Sequence, residues 1–589
     1  MIRNILFLLV SLFVLSSCED LFEPAIENNK QLDLMSSDPI FAQRILLNTY
    51  RMLPSEYDNS EYATDDAVTN DDGNSFLAMA TGSWTAYYNP VNMWVDGYGA
   101  IQYINTFLER CDDVHWADDP EADTLFNIRL KGEAYGLRGV FLYYILKNHA
   151  GFSSDGELLG VPILTKFLDE NANYNIPRST FQDCVEQILN DLDSAVYYLP
   201  VEYNDIKSLS EVPAKYSEIV TLTSTYNRTM GLFFRQLLNG QIAMAYKSKV
   251  ALLAASPAFQ DASNKTTWED AAIYSADVLE YIGGLSGLAA TGDTYYNKDA
   301  RNDSLKEGIN PAEILWRNNI TVSSSSQESS NYPPSLRGSG RMNPTQNLVD
   351  AFPMSNGYPI TDLASSGYNP ATPYANRDPR LTNYIIYNGS VEGVNSTPIY
   401  TGSTSGTNDG LNVLETSTRT GYYLKKRLNM DVSYNNTSGT WQGKYNYTPR
   451  IRYTEMFLNY AEAANEAYGP VGVAPNAGYS AVDVIRAIRN RALGITSDPY
   501  LDECSGDKDK MRDLIHNERR LELCFEGFRF WDLRRWGADL TETAKGYDAS
   551  TGQVFDVELR SYDDYMNYGP IPYSEILKYD KLIQNRGWE

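Results

Sequence analysis

The chain has 589 residues, 43% of them hydrophobic and 21% charged, which is enough for a large packed core and excludes wholesale disorder. Lysine and arginine number 49 against 76 acids, a net charge of −27, and so argue against nucleic acid, whose capture rests on cationic side chains neutralising phosphates. Three histidines (His115, His149, His516) leave little for histidine catalysis or a zinc site, and no apolar run reaches the roughly 20 residues that cross a bilayer.

Arg3 precedes an apolar stretch over residues 5–15, broken by Ser11, and then Ser16-Ser17-Cys18. A basic start, a short apolar run and small residues at a break make a secretory signal over residues 1–17. Leu15-Ser16-Ser17-Cys18 resembles the bacterial lipobox, which implies acylation of Cys18 and a lipid anchor in the outer membrane. Several acyl chains hold firmly, because each buried CH₂ contributes about 0.8 kcal/mol. An ordinary signal with an incidental cysteine is the plainer reading of the same residues. Glu19 and Asp20 resemble the surface-export signal of Bacteroidetes lipoproteins, implying a protein that faces the cell exterior on a tether spanning residues 18–36.

A helix is expected from Ser36 to Leu53, with Ser37 or Asp38 as cap and Pro39 in the first turn. Further helices follow at Trp94–Cys111, Glu121–Asn148, Thr180–Tyr198, Leu237–Ala255 and Trp268–Tyr281. Gly132, Gly136 and Gly139 interrupt the longest of these at up to about 1 kcal/mol each, which makes sense where another helix crosses closely. From about residue 295 to 449 the composition turns to Ser, Thr, Asn, Gly and Tyr with short β-like runs such as Tyr384-Ile385-Ile386-Tyr387. Long loops on a scaffold are where binding usually sits. Helices return at Ile451–Tyr468, after Ser480-x-x-Asp483, which looks like a capping box, and at Asp509–Phe525. The fold class is therefore mainly α: a tetratricopeptide-like helical-hairpin superhelix over residues 37–290 and 450–540, with a loop-rich, mixed irregular and β insert, all within one domain of residues 37–589.

The C-terminal third carries the most specific pattern. It includes Ile451-Arg452-Tyr453, Asn459-Tyr460-Ala461-Glu462-Ala463, Asn517 to Arg529 and Trp531-Asp532-Leu533-Arg534-Arg535-Trp536-Gly537. Upstream, Ser256-Pro257-Ala258-Phe259, Asn343 to Val349, Arg377-Asp378-Pro379-Arg380 and Gly421-Tyr422-Tyr423 with Lys425-Lys426 agree in order. These segments resemble the SusD/RagB family of glycan-capturing outer-membrane lipoproteins. Arg138-Gly139 and Asn585-Arg586-Gly587 depart from its usual pattern without disturbing the match. The resemblance implies a loop-built face that captures oligo- or polysaccharide and delivers it to a SusC-like TonB-dependent transporter, with no catalytic residue. A RagB-like peptide-uptake component and, further off, a surface glycoside hydrolase with two carboxylates flanking a cleft are the competing functions.

Glu518, Glu522 and Glu526 recur every four residues and share a helical face. They read as a charged network with Arg519, Arg520, Arg529, Arg534 and Arg535, and Asp532–Arg535 suits helical pairing at i,i+3. An acid pair or metal site is the alternative. Sugar capture needs a ring for the apolar C–H face and Asp, Asn, Arg or Gln for the hydroxyls. The candidate ligand contacts are Asp72, Asn74, Trp84, Tyr87 and Tyr88 in one stretch, then Tyr332 and Arg337, and finally Tyr296 and Trp441. Trp84 reads equally well as a core plug, Trp94 belongs to a core stripe, and Trp316 is flanked like a buried strand. No cofactor is expected. Asp112, Asp113, Asp118, Asp119, Glu121 and Asp123 could hold a structural calcium through oxygen ligands, or form a solvated acidic turn. Cys111, Cys184, Cys504 and Cys524 match no metal spacing.

Overall fold

A computed structural model describes residues 34–292, 305–306 and 308–589. The signal, Cys18, most of the tether and Tyr296 lie outside the described residues. Helix α1 (Pro39–Met52) starts where the Asp38 carboxylate accepts from the Phe41 amide at 3.0 Å. It packs on α2 (Trp94–Arg110), which packs on the 30-residue α3 (Pro120–His149). The series continues through α4 (Phe181–Tyr198), α5 (Gly240–Ala255) and α6 (Trp268–Glu280), each against its predecessor, and α6 lies along α7 (Tyr453–Tyr468). Helices α8 (Ala481–Leu493) and α9 (Lys508–Leu523) close the stack against α7. Side-chain caps at Thr180, Asn239, Thr267 and Ser480 satisfy orphan amides and fix these starts within a residue or two of the expected ones. Ser480 and Asp483 do form a capping box.

Helix α3 is buried on most of its surface, and its glycines are the reason α4 can lie on it. A Cβ at Gly136 would meet a methyl of Leu238 at 2.2 Å and Ala195 at 3.0 Å, and one at Gly139 would press on the Ile188 carbonyl of α4 at 3.2 Å. The entropy that glycine costs in a helix is offset by this close approach.

Between α6 and α7 the described residues form short helical turns and sheets that are all two-stranded and antiparallel. Ile314–Arg317 pairs with Pro449–Arg452 at the mouth of the insert, and Thr321–Ser324 with Lys444–Asn446. Ser433–Asn435 and Thr440–Gln442 form a hairpin, while Met342–Pro344 pairs with Ala67–Thr69 from the start of the chain. The apolar core is correspondingly double: one cluster within the helical stack, one beneath the insert around Phe352, Tyr384, Tyr423 and Phe525.

A buried ion network joins the two. Arg380 of the insert binds Asp378 at 2.6 Å, Glu518 at 2.9 Å and Glu522 at 3.1 Å. Arg489 and Arg491 of α8 reach Glu518 at 2.7 Å and Glu522 at 3.1 Å. Glu526 takes Arg452 at 2.8 Å and Lys426 at 2.7 Å. Burial alone would raise the Glu522 carboxyl, but Arg491, Arg380, Arg452 and Lys426 hold it down to about 2. The three glutamates are thus structural, yet their partners are not the neighbouring arginines expected from sequence. Successive residues of a helix point about 100° apart, so Arg519 and Arg520 face other surfaces. Arg519 pairs with Asp532 at 2.7 Å, and Arg520 and Arg529 hold Asp65 at 2.7 and 2.9 Å. The Asp532–Arg535 pair forms as expected, at 2.9 Å within the helix Arg529–Trp536.

Beside Asp65 lies Glu61, fully buried, with one oxygen accepting from the Gly527 amide at 3.1 Å and the other unpartnered. Burial and the carboxylates of Asp66 and Asp58 push it up to about 8. Its folded value exceeds the unfolded value near 4.3, so the folded state binds the extra proton and stability falls as pH rises from about 4.5 towards 8. Glu61→Gln should therefore stabilise by up to about 4–5 kcal/mol at pH 8 and by well under about 1 kcal/mol at pH 4.5, read from paired thermal melts. An equal effect at both pH values would exclude a protonated Glu61.

The four described cysteines are buried and free. Burial pushes the thiols of Cys111, Cys184 and Cys524 up to about 12.

Candidate functional site

The strand Ala67–Thr69 delivers the chain from the Asp65 anchor to Asn70, Asp71 and Asp72 at the surface. Asp72 is exposed and lines an open cleft with Asn70, the stretch 412–417 and Arg419. The cleft is held by polar bonds: Asn70 Nδ2 donates to the carbonyls of Ser339 (3.0 Å) and Ser417 (3.3 Å), and Arg341 donates to Asn70 Oδ1 at 3.2 Å. Arg419 spans the floor, donating to the Thr69 carbonyl at 2.7 Å and pairing with Glu558 at 2.8 Å.

The loop 333–341 ties this cleft to the hairpin. Ser335 donates through its amide to Asp409 at 2.8 Å, fixing the loop that carries residues 412–419. Arg337, in the left-handed region at φ 70°, is exposed and extends Nη2 to Asn436 Oδ1 at 2.9 Å in the hairpin turn. Across that hairpin Tyr434 stands opposite Trp441, their rings edge to face at 5.5 Å. Both rings are half-buried, which leaves part of each facing solvent beside a guanidinium and an amide. An arrangement of ring faces flanked by bidentate polar groups can hold an apolar patch and its hydroxyl fringe together.

The expected contacts divide accordingly. Arg337 reaches the turn of the hairpin that carries Trp441, and Asp72 lines the cleft to which the 333–341 loop is tied. Tyr332 lies beneath Trp441, ring centres 6.3 Å apart, but is 1% exposed, its hydroxyl donating to the Asn429 carbonyl at 2.6 Å. It supports the hairpin and cannot cover a ligand. Asn74 is half-buried and spent on capping, its Oδ1 accepting from the amides of Phe76 and Leu77. Trp84 is 2% exposed and packs in the core against Trp588 at 4.9 Å and Phe530 at 5.8 Å. A ring enclosed on this scale offers no face to a ligand, so Trp84 is the core plug. Tyr87 and Tyr88 are open, at 88% and 40% exposure, but beyond the helical turns at 75–83, beside Tyr573, whose amide donates to the Ala86 carbonyl. Trp94 and Trp316 are both buried.

Asn70, Arg419, Tyr434 and Asn436 were not singled out by sequence. The hairpin pair was legible: Tyr434-Asn435-Asn436-Thr437-Ser438-Gly439-Thr440-Trp441 sets two aromatic strand residues around an Asn/Ser/Gly turn. In the acidic stretch near residue 118 three carboxylates already have protein partners. Asp123 accepts from the amides of Trp116 and Ala117 at 2.6 and 3.1 Å, Asp112 pairs with Lys131 at 2.6 Å, and Glu121 accepts from the Thr221 amide at 3.0 Å. Among the described residues no three metal-type side chains gather, and no helix is long and apolar enough to cross a membrane.

A tetratricopeptide-like stack bearing a loop-built polar and aromatic face defines the class of protein. The SusD family model matches residues 312–588, and a second model, described as starch-binding associating with outer membrane, matches residues 27–222. The chain belongs to the SusD-like family. It is 23% identical over 556 residues to SusD-like protein P38 of Formosa agariphila, covering 90% of each chain. A SusD-like protein from Bacteroides fragilis superposes with a TM-score of 0.69 at 24% identity, over 94% of this chain and 98% of that one. A SusD-like carbohydrate-binding protein from the same species gives 0.65 at 19% identity, over 93% and 99%. At these identities the solved structures establish the fold alone.

Proposed function

We propose that this protein is a surface receptor for oligo- or polysaccharide, which binds without cleaving and hands its ligand to a SusC-like TonB-dependent outer-membrane transporter. The observation that carries the reading is the cluster of Tyr434, Trp441 and Asn436 on one hairpin with Arg337 from the neighbouring loop, rings and polar groups of the kind sugars need. Asp72, Asn70 and Arg419 extend the polar surface across the 333–341 loop. A solved relative described as carbohydrate-binding, and a matching model described as starch-binding, support the ligand class. Acylation of Cys18 would hold the receptor in outer-membrane lipid beside its transporter.

The chain lacking residues 1–18 is run through native gels cast with plant, fungal and host polysaccharides, and the same mixtures are assayed for released sugar. One polysaccharide is expected to retard it with no sugar released. Trp441→Ala should then weaken retention at least tenfold, about 1.4 kcal/mol, while Tyr87→Ala leaves it unchanged. Retardation by none of the polysaccharides would overturn the reading in favour of short oligosaccharides or peptides, and released sugar would make the protein an enzyme.

A further inference from the structure

A cavity of about 250 Å³ lies where α3, α7, α9 and the helix Arg529–Trp536 meet the segments at 54–58 and 90–93. Its wall carries seven basic side chains and five acidic ones. Five of the cations are paired with carboxylates: Arg450 with Glu56 (2.8 Å), Lys249 with Glu455 (2.6 Å), Arg452 with Glu526 (2.8 Å), and Arg519 and Arg535 with Asp532 (2.7 and 2.9 Å). The fifth acid, Asp58, accepts from Trp531 Nε1 at 2.9 Å and from the Ser60 amide at 3.0 Å.

Two cations remain, and they share one ring. Lys147, half-buried, places Nζ 3.7 Å from the centre of Trp531 and forms no ion pair or hydrogen bond among the described residues. The Arg534 guanidinium lies 5.1 Å from the same ring. It is 4% exposed and uses Nε on the carbonyls of Met566 and Asn567, while its Nη1 is buried with no partner. Cation–π contact compensates part of the lost hydration, but a buried cation ordinarily takes a counter-charge. A single ordered water needs roughly 10–15 Å³, so the space admits an ion of several atoms.

We propose that this cavity is a binding site for a small oxyanion, carboxylate or tetrahedral, held between Lys147 Nζ and the Arg534 guanidinium that line it. The groups facing Lys147 are Asp58 and Glu455, which favour its charge, and Lys249 and Arg534, which oppose it. Burial, aided by Lys249 and Arg534, lowers Lys147 to about 7. Its charge is thus weakened by burial and by its cationic neighbours, and an anion beside Nζ would favour the charged form.

The test is isothermal titration of the same soluble chain with sodium sulfate and with sodium acetate at constant ionic strength. One saturable site is expected for at least one of the two anions, binding more tightly at pH 6 than at pH 8.5. Lys147→Met, checked for native near-ultraviolet dichroism, should lose at least tenfold in affinity. No saturable binding of either anion at pH 6 overturns the proposal, and so does undiminished affinity in a folded Lys147→Met. If that variant does not fold, the wild-type pH profile decides: affinity unchanged from pH 6 to 8.5 removes Lys147 from the site and with it the proposal.

Discussion

Arg380→Ala should lower the unfolding free energy by about 3–5 kcal/mol, the range for removing one partner of a buried ion network. The substitution leaves Asp378, Glu518 and Glu522 facing one another inside the protein, where each now contacts the guanidinium at 2.6, 2.9 and 3.1 Å. Arg489 and Arg491 would still hold the two glutamates, but the insert would have lost one of its bolts to the helical stack. The loss should grow with pH between about 2 and 5, since unpaired carboxylates repel only when ionised. Urea unfolding of wild type and variant at pH 4 and pH 7 measures this, and affinity electrophoresis of the folded fraction measures binding. Retention per folded molecule should be unchanged. A variant of full stability with lost retention would make Arg380 part of the ligand surface instead.

Trp84→Ala is expected to behave as a core deletion, costing about 3–5 kcal/mol. The ring fills space between Trp588, Phe530 and Tyr562, with the Arg534 guanidinium 5.4 Å from its centre and its Nε1 donating to Asn89 Oδ1 at 3.0 Å. Truncation therefore opens a void, leaves Asn89 Oδ1 with only the Val91 amide and strips Arg534 of one of its ring contacts. Thermal denaturation should show the fall, with polysaccharide retention below the melting point equal to wild type. Trp441→Ala should give the opposite pattern, with near-normal melting and lost retention. If the two tryptophans exchanged behaviours, the ligand would bind at the 84–90 loop and not at the hairpin.

The helical stack was legible because its signals are local. Caps such as Asp38, Thr180 and Ser480, and the stop at Gly469-Pro470, act within a few residues, so helix ends fall close to where composition puts them. The glycines of α3 announced a close crossing without naming the partner, which is set by Ile188, Ala195 and Leu238 far along the chain. The ion network shows where this reading stops. Spacing put Glu518, Glu522 and Glu526 on one face, but their counter-ions Arg380, Lys426 and Arg452 come from segments whose approach only the fold determines. The same holds for the candidate face. An aromatic residue in a polar stretch looks alike whether its ring is capped by a distant chain terminus, as Trp84 is by Trp588, or stands on a free hairpin, as Trp441 does. Asn74 looked like a sugar-binding amide but is used by its own helix start.

The buried thiols bear on how this protein can be handled. Cys111, Cys184 and Cys524 hold their protons to about pH 12, so at neutral pH almost none is present as the thiolate that alkylating reagents attack. A single cysteine introduced at position 337 or 87, in the chain lacking Cys18, would accept a maleimide fluorophore against a nearly silent background. The chain lacking Cys18 is thereby ready for optical tracking of ligand arrival at either position, with its four buried cysteines left in place.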